Sequence, residues 1–248
     1  MSFKSAINTL CDAALALAYP RACAACGVRH VEARSDAPAC AECWRATRVF
    51  EGGETLCWKC GALAQGDVPE WEREEVRCRR CEAEEFTAAR ACGLYEGALR
   101  AAVLSLKREP FVSARLAGLL ASACRRGPLE RATLVVPVPL HAERERERGF
   151  NQAAVLGRAL SKRVGLQLDE WSLARVAHTG RHRAGMDARG RRETVEGAFE
   201  VVRPRLVRGE RVLLVDDVFT TGATVSACAA ALTSAGAREV YVLTLARA

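Results

Sequence analysis

Two adjacent carboxylates, Asp216 and Asp217, follow an apolar run and precede a small polar turn in "VLLVDDVFTTGAT", residues 212–224. Buried strands avoid charge, so the pattern places both acids where a strand has ended. The turn supplies the hydroxyls of Thr220, Thr221 and Thr224 and, with Ala223, a series of backbone N–H groups that open a helix. A helix start of this kind attracts anions through its unpaired donors and its dipole. Gly222 lets the backbone approach a phosphate closely and adopt dihedrals that other residues resist. Carboxylates alongside can accept hydrogen bonds from neighbouring sugar hydroxyls. Phosphate next to diol is the chemistry of a ribose phosphate.

A second constellation is metallic. Eight of the twelve cysteines form four C-x-x-C pairs: Cys23/Cys26, Cys40/Cys43, Cys57/Cys60 and Cys78/Cys81. The intervals between pairs are 13, 13 and 17 residues. Two pairs supply four thiolates for one tetrahedral Zn²⁺, so four pairs make two sites. The intervals favour sequential sharing, first pair with second and third with fourth; an interleaved cross-brace would join first to third. A redox motif explains one pair, not four in series, and a cytosolic chain would not hold a disulfide framework. Four-cysteine sites leave no open position for water, so these zincs would be structural. Trp44, Trp58 and Trp71 are expected to pack around them. Cys11, Cys92, Cys124 and Cys228 stand in apolar surroundings and read as buried thiols.

The elements that position these groups divide the 248 residues into three. Residues 1–18 read as an amphipathic helix rather than a secretory signal, since Asp12 interrupts the apolar stretch. Residues 19–87 form the double zinc module, too poor in large apolar residues to fold without such staples. "CEAEEFTAAR" reads as a polar hinge, and from residue 88 strands and helices alternate. "TLVVPVPL" is a buried strand closed by prolines, "FNQAAVLGRALSKRVG" a helix stopped by Gly165, and "RVLLV" and "EVYVLTLA" further strands. Such alternation predicts an α/β fold, doubly wound, with a mostly parallel sheet covered by helices on both faces. Ligands of such sheets bind beyond the carboxyl ends of the strands, where the opening motif sits. Charge is divided too: residues 1–90 carry a net −2 and the remainder +9, which points to an anionic ligand in the second part or to an ordinary basic surface. No apolar run approaches the roughly 20 residues of a membrane span, and the expectation is a cytoplasmic protein.

The thirteen residues from Val212 resemble, without a gap, the phosphoribosyl-pyrophosphate (PRPP) motif of the type I phosphoribosyltransferases. "VVPVPLHAERERERGFNQA" is similar to the "PVPL…RGFNQ" signature of the ComF family, whose members carry cysteine-pair zinc modules before a transferase domain. "SLKREP" with Lys107, "ARVAHT", "EGAF" and "LTLARA" extend the likeness over nearly the whole chain. The resemblance implies a pyrophosphate loop at Pro137-Val138-Pro139-Leu140, often built around an unusual peptide bond in the superfamily. It brings Arg144 and Arg148 toward pyrophosphate and lets Asn151 and Gln152 stabilise the turn into the next helix. "ERERER" also reads as a solvated helical face laced by ion pairs, and for Arg144 the two readings stand level.

One segment departs from the family. Where a glutamine is usual, "HTGRHRAGMDARGRRETVEGAF" offers His182 or Arg183, and Thr194 stands in place of asparagine. Arg181, Arg183, Arg189, Arg191 and Arg192 in this segment, 178–193, suit either a hood over an anionic substrate or a solvated basic loop. The activity implied is Mg²⁺-dependent transfer of 5-phosphoribosyl to an unknown nucleophile with release of pyrophosphate. In it Asp216 and Asp217 hold the diol, while Arg148 and Lys107 face the leaving group. The alternative is a PRPP sensor without chemistry, or a competence module touching single-stranded DNA or competence proteins.

Overall fold

The computed structural model describes residues 12, 14, 15, 18–176 and 197–248. The expected N-terminal helix therefore lies almost wholly outside the described residues, as does the arginine-rich segment 178–193.

Among the described residues seven strands are formed: β1 (Ala88–Ala91), β2 (Leu134–Pro137), β3 (Gln167–Leu168), β4 (Leu173–Arg175), β5 (Phe199–Val201), β6 (Arg211–Phe219) and β7 (Glu239–Arg247). Five build one sheet in the order β1-β7-β6-β2-β3, parallel throughout; β4 and β5 make a separate antiparallel pair. The helices are α1 (Ala41–Ala46), α2 (Gly97–Leu106), α3 (Ala114–Cys124), α4 (Ala142–Arg148), α5 (Gln152–Val164) and α6 (Ala223–Ser234).

Strand alternation sorts the core into two layers. Leu213, Val215, Tyr241, Leu243 and Leu245 face a layer that includes Leu99, Leu120, Leu156 and Leu160 from α2, α3 and α5. Val212, Leu214, Val240 and Val242 face the other, with Val225, Ala229 and Leu232 of α6 and Phe199 of β5. β6 and β7 are buried on both sides, which is why they read as nearly continuous apolar runs. The expected doubly wound sheet is thus present, with helices on both faces. Gly165 ends α5 in a left-handed conformation (φ +78°), as its position after the last apolar residue predicted.

Three expectations need correction. The strand does not stop before the aspartates: β6 runs through Asp216 and Asp217 to Phe219, still paired with β7. What ends is its other neighbour. Pro137 is the last residue of β2, opposite Val215, so the acids occupy a length of strand that has outrun β2. Nor is "CEAEEFTAAR" a hinge, because Phe86 is buried, Glu84 is buried beside it, and β1 begins at Ala88. Trp71 does not pack on a cysteine cluster either; it is 81% exposed, whereas Trp44 is buried and Trp58 lies beneath the Arg90 guanidinium.

The cysteine-rich segment is welded to the sheet along β1. The Ala89 N–H donates to the Lys59 carbonyl, the Phe50 N–H donates to the Cys92 carbonyl, and Val49 bridges Gly93. An edge strand with free carbonyls and N–H groups is in this way covered.

Candidate functional site

The site assembles where three parallel strands end. Beyond Phe219 the chain passes Thr220 and Thr221 to Gly222, which caps α6 with φ +86°. A Cβ there would lie 2.9 Å from Phe219 Cζ, so the turn closes on a glycine for lack of room as well as for its dihedral. Thr221 Oγ1 accepts from the Ala223 N–H at 3.4 Å, and Thr224 lies in the first turn of the helix. The strand–turn–helix geometry opens α6 with unpaired N–H groups, an arrangement that can cradle an anion.

Asp217 is buried at 8% exposure, and its Oδ2 lies 3.6 Å from Lys107 Nζ, delivered by the C-terminal end of α2. Asp216 is half-buried; its Oδ1 accepts from the Asp217 N–H at 2.8 Å. Burial, then the neighbouring Asp217 charge, pushes the Asp216 carboxyl well above its ordinary range, against the pull of that backbone N–H and of Lys107.

The neighbouring loop follows β2. The Val138 N–H donates to the Val215 carbonyl at 2.9 Å, binding the loop to β6 one residue before the acids. Asn151 caps α5 through Oδ1 on the Ala153 N–H (2.9 Å) and reaches back with Nδ2 to the Val138 carbonyl (3.0 Å). One side chain thereby fixes both the helix start and the loop. Gln152 is buried and accepts from Arg148 Nη1, while Pro139 is half-buried. Arg144 is exposed on α4. The unusual peptide bond is absent from this loop: among the described residues the cis bonds are Ala37–Pro38 and Gly127–Pro128. Of the sequence-derived residues, Lys107 meets Asp217 and Asn151 meets Val138, whose N–H binds Val215 beside the acids; Arg148 is held on Gln152, and Arg144 faces solvent.

Residues missed in the sequence crowd the cradle from outside. Arg247 lies over the Phe219 ring at 4.5 Å, Phe86 meets that ring edge-on at 5.9 Å, and Glu84 stands 3.3 Å from the position a Gly222 Cβ would take. The one signal for them was a phenylalanine inside an otherwise polar stretch.

Each cysteine quartet is sequential: Cys23, Cys26, Cys40 and Cys43 in one, Cys57, Cys60, Cys78 and Cys81 in the other, with the sulfurs of each within 4.8 Å of one another. In the second, Sγ separations are 3.7 Å (Cys57–Cys81), 3.6 Å (Cys60–Cys78) and 3.5 Å (Cys78–Cys81). Zn–S bonds of about 2.3 Å imply tetrahedral edges of about 3.8 Å, so the donor set fits zinc closely. The titration pattern agrees. Burial raises the Cys23 thiol, but N–H groups of Cys40, Cys26 and Ala25 outweigh it and bring it down to about 6. Burial and neighbouring thiols push Cys43 up to about 12. Four acids sharing so small a space cannot all ionise without a cation to hold them.

Fold and site together define a phosphoribosyltransferase-type domain, and a phosphoribosyl transferase domain model matches residues 151–248. Curated relatives extend the match. The DNA utilization protein YhgH of Escherichia coli K12 is 32% identical over 216 residues, 84% of this chain and 89% of that one. Competence protein F of Haemophilus influenzae is 37% identical over 127 residues, which is 51% of this chain and 55% of that protein. Among solved structures, the glutamine PRPP amidotransferase from B. subtilis, complexed with ADP and GMP, aligns with TM-score 0.36 and 21% identity over 59% of this chain and 26% of that one. The chain belongs to the ComF family, a phosphoribosyltransferase fold preceded by a cysteine-cluster module. Among the described residues, no helix is long and apolar enough to cross a membrane.

Proposed function

We propose that this protein binds PRPP at the carboxyl ends of β2 and β6 and transfers its 5-phosphoribosyl group to a nitrogen nucleophile. The observation that carries the reading is the juxtaposition of Asp216, Asp217 and the Thr220–Thr224 cradle, with Lys107 held against Asp217. The cradle N–H groups and threonine hydroxyls take the 5-phosphate, and the two carboxyls take the ribose diol. In the reaction the C1–oxygen bond to pyrophosphate breaks as the C1–nitrogen bond forms, and positive charge grows on the sugar ring. Asp217, facing the Lys107 ammonium at 3.6 Å, lies where a carboxylate favours that charge. One of the two carboxyls, in its ionised form, accepts the proton that the nucleophile sheds. The Val138–Pro139 loop and Arg148 orient the departing pyrophosphate, with Arg144 free to swing toward it. Mg²⁺, brought in on PRPP oxygens, would supply charge neutralisation to the leaving group. The cysteine quartets hold structural zinc, since four sulfurs leave no position for substrate.

The test is calorimetric titration of the full chain with PRPP and Mg²⁺, followed by pyrophosphate detection across a panel of bases. Saturable binding that Asp217→Ala abolishes, in a variant that remains folded, is expected. Binding by wild type without pyrophosphate release for any base would turn the reading into a PRPP sensor. That second reading draws support from the relatives named for competence and DNA utilization and from the basic surplus after residue 90. It requires single-stranded DNA affinity that falls steeply with salt and weakens on replacing Arg189, Arg191 and Arg192.

A further inference from the structure

The second cysteine quartet grips the phosphate cradle at both ends. At the entrance, Arg247 donates from Nη1 to the Cys60 carbonyl (2.6 Å), and its Nη2 lies 3.7 Å from Cys60 Sγ. The same guanidinium covers the Phe219 ring at 4.5 Å, and the Ala248 N–H donates to the Phe219 carbonyl at 3.0 Å. At the exit, the Glu85 N–H donates to Ser226 Oγ in α6 at 2.9 Å, four residues after Cys81 in the chain. Between the two, Glu84 abuts Gly222 and Phe86 abuts Phe219. A cavity of about 470 Å³ is lined by Cys60, Cys78 and Cys81 together with Thr220 and Thr221.

The first quartet is anchored elsewhere. Cys23, Cys40 and Trp44 join the opposite core layer, where the Ala98 N–H donates to Thr47 Oγ1 and Arg115 pairs with Asp36. Among the described residues, the hydrogen bonds of this quartet and its segment do not reach residues 216–224.

We infer that the second quartet, unlike the first, is a positioning element for the phosphate cradle, so that its metal occupancy and PRPP binding are thermodynamically linked. The inference rests on the PRPP reading above. A metal at Cys57, Cys60, Cys78 and Cys81 fixes the Cys60 carbonyl and the start of the Cys81–Phe86 segment. Arg247, Phe219 and Ser226 transmit that order to the cradle. Linkage is reciprocal, so a ligand that orders the cradle must tighten the quartet. Arg247 is the residue through which most of this passes, because one planar group bridges the Cys60 peptide and the Phe219 ring.

The experiment is pulse alkylation of the zinc-loaded full chain under chelator, read by peptide mass spectrometry, with and without PRPP and Mg²⁺. The expected result is labelling of Cys57, Cys60, Cys78 and Cys81 slowed about tenfold by PRPP, with Cys23, Cys26, Cys40 and Cys43 labelled at an unchanged rate. In Arg247→Lys, which keeps the charge and loses the planar bridge, the protection shrinks while both zincs remain bound. Equal protection of both quartets, or of neither, in protein that calorimetry shows to bind PRPP overturns the linkage alone. Absence of PRPP binding in that calorimetry overturns the functional reading, and this inference with it.

Discussion

Asp216 carries a conflict between folding and function at a single side chain. Its carboxyl is pushed up from an ordinary value of 3.8 by burial and by Asp217, so the folded state binds a proton that the unfolded chain has released. The sign follows: this contribution to stability is complete below the unfolded value and is lost as pH rises through the raised folded one. Asp216→Asn keeps an oxygen for the Asp217 N–H and removes the penalty. The variant should melt higher than wild type at neutral pH, show a flatter dependence of Tm on pH, and bind PRPP more weakly. A lower Tm at pH 7 would count against the buried, protonation-prone carboxyl. Lys107→Met should lower PRPP affinity and Tm together, because it strips the buried Asp217 carboxyl of its facing cation.

At the scale of elements, the cradle depends on the turn between β6 and α6. Gly222→Ala meets both a left-handed φ of +86° and Phe219 Cζ at 2.9 Å. A cost of about 1–2 kcal/mol for the backbone alone, and more for the collision, should appear as a lowered Tm together with loss of PRPP binding. Asn151→Ala should cost about 1 kcal/mol as a lost cap and release the Val138 carbonyl, so that affinity falls further than the stability change explains. Retained affinity in this variant would show that the loop after β2 holds its shape without Asn151. Much of this was legible in the sequence. Threonines around a glycine after an apolar run announce a phosphate turn, and the prolines of "VVPVPL" announce the end of β2. The extension of β6 through both aspartates was not legible, because charge in a strand is tolerated only where a neighbour has ended, and that depends on the register between β2 and β6.

For the whole molecule, the expected boundary at residues 87 and 88 is crossed by buried contacts. Cys23, Cys40 and Trp44 belong to one core layer of the sheet, and Cys57, Cys60, Cys81 and Phe86 to the other. Arg90, buried on β1, donates to the Trp58 and Gly127 carbonyls, and burial lowers its guanidinium to about 10. Native mass spectrometry should find two zincs per chain. Their removal should lower the melting temperature of the entire protein in a single transition, since neither layer is complete without its quartet. Two separate transitions, with the sheet melting unchanged after chelation, would show instead a module that folds apart from it.

The sequence by itself determined the chemistry available: four thiol pairs at zinc spacing, two acids before a phosphate turn, and the alternation that makes a parallel sheet. These are local properties, fixed by which side chains stand within a few residues of one another. The tertiary structure decided which distant groups meet. Lys107 reaches Asp217, Arg247 joins Cys60 to Phe219, and Glu84 with Phe86 closes on the cradle, all across long chain separations. Such pairings follow from strand order and helix packing, and those are set by how the two core layers close as one body rather than by any stretch of sequence.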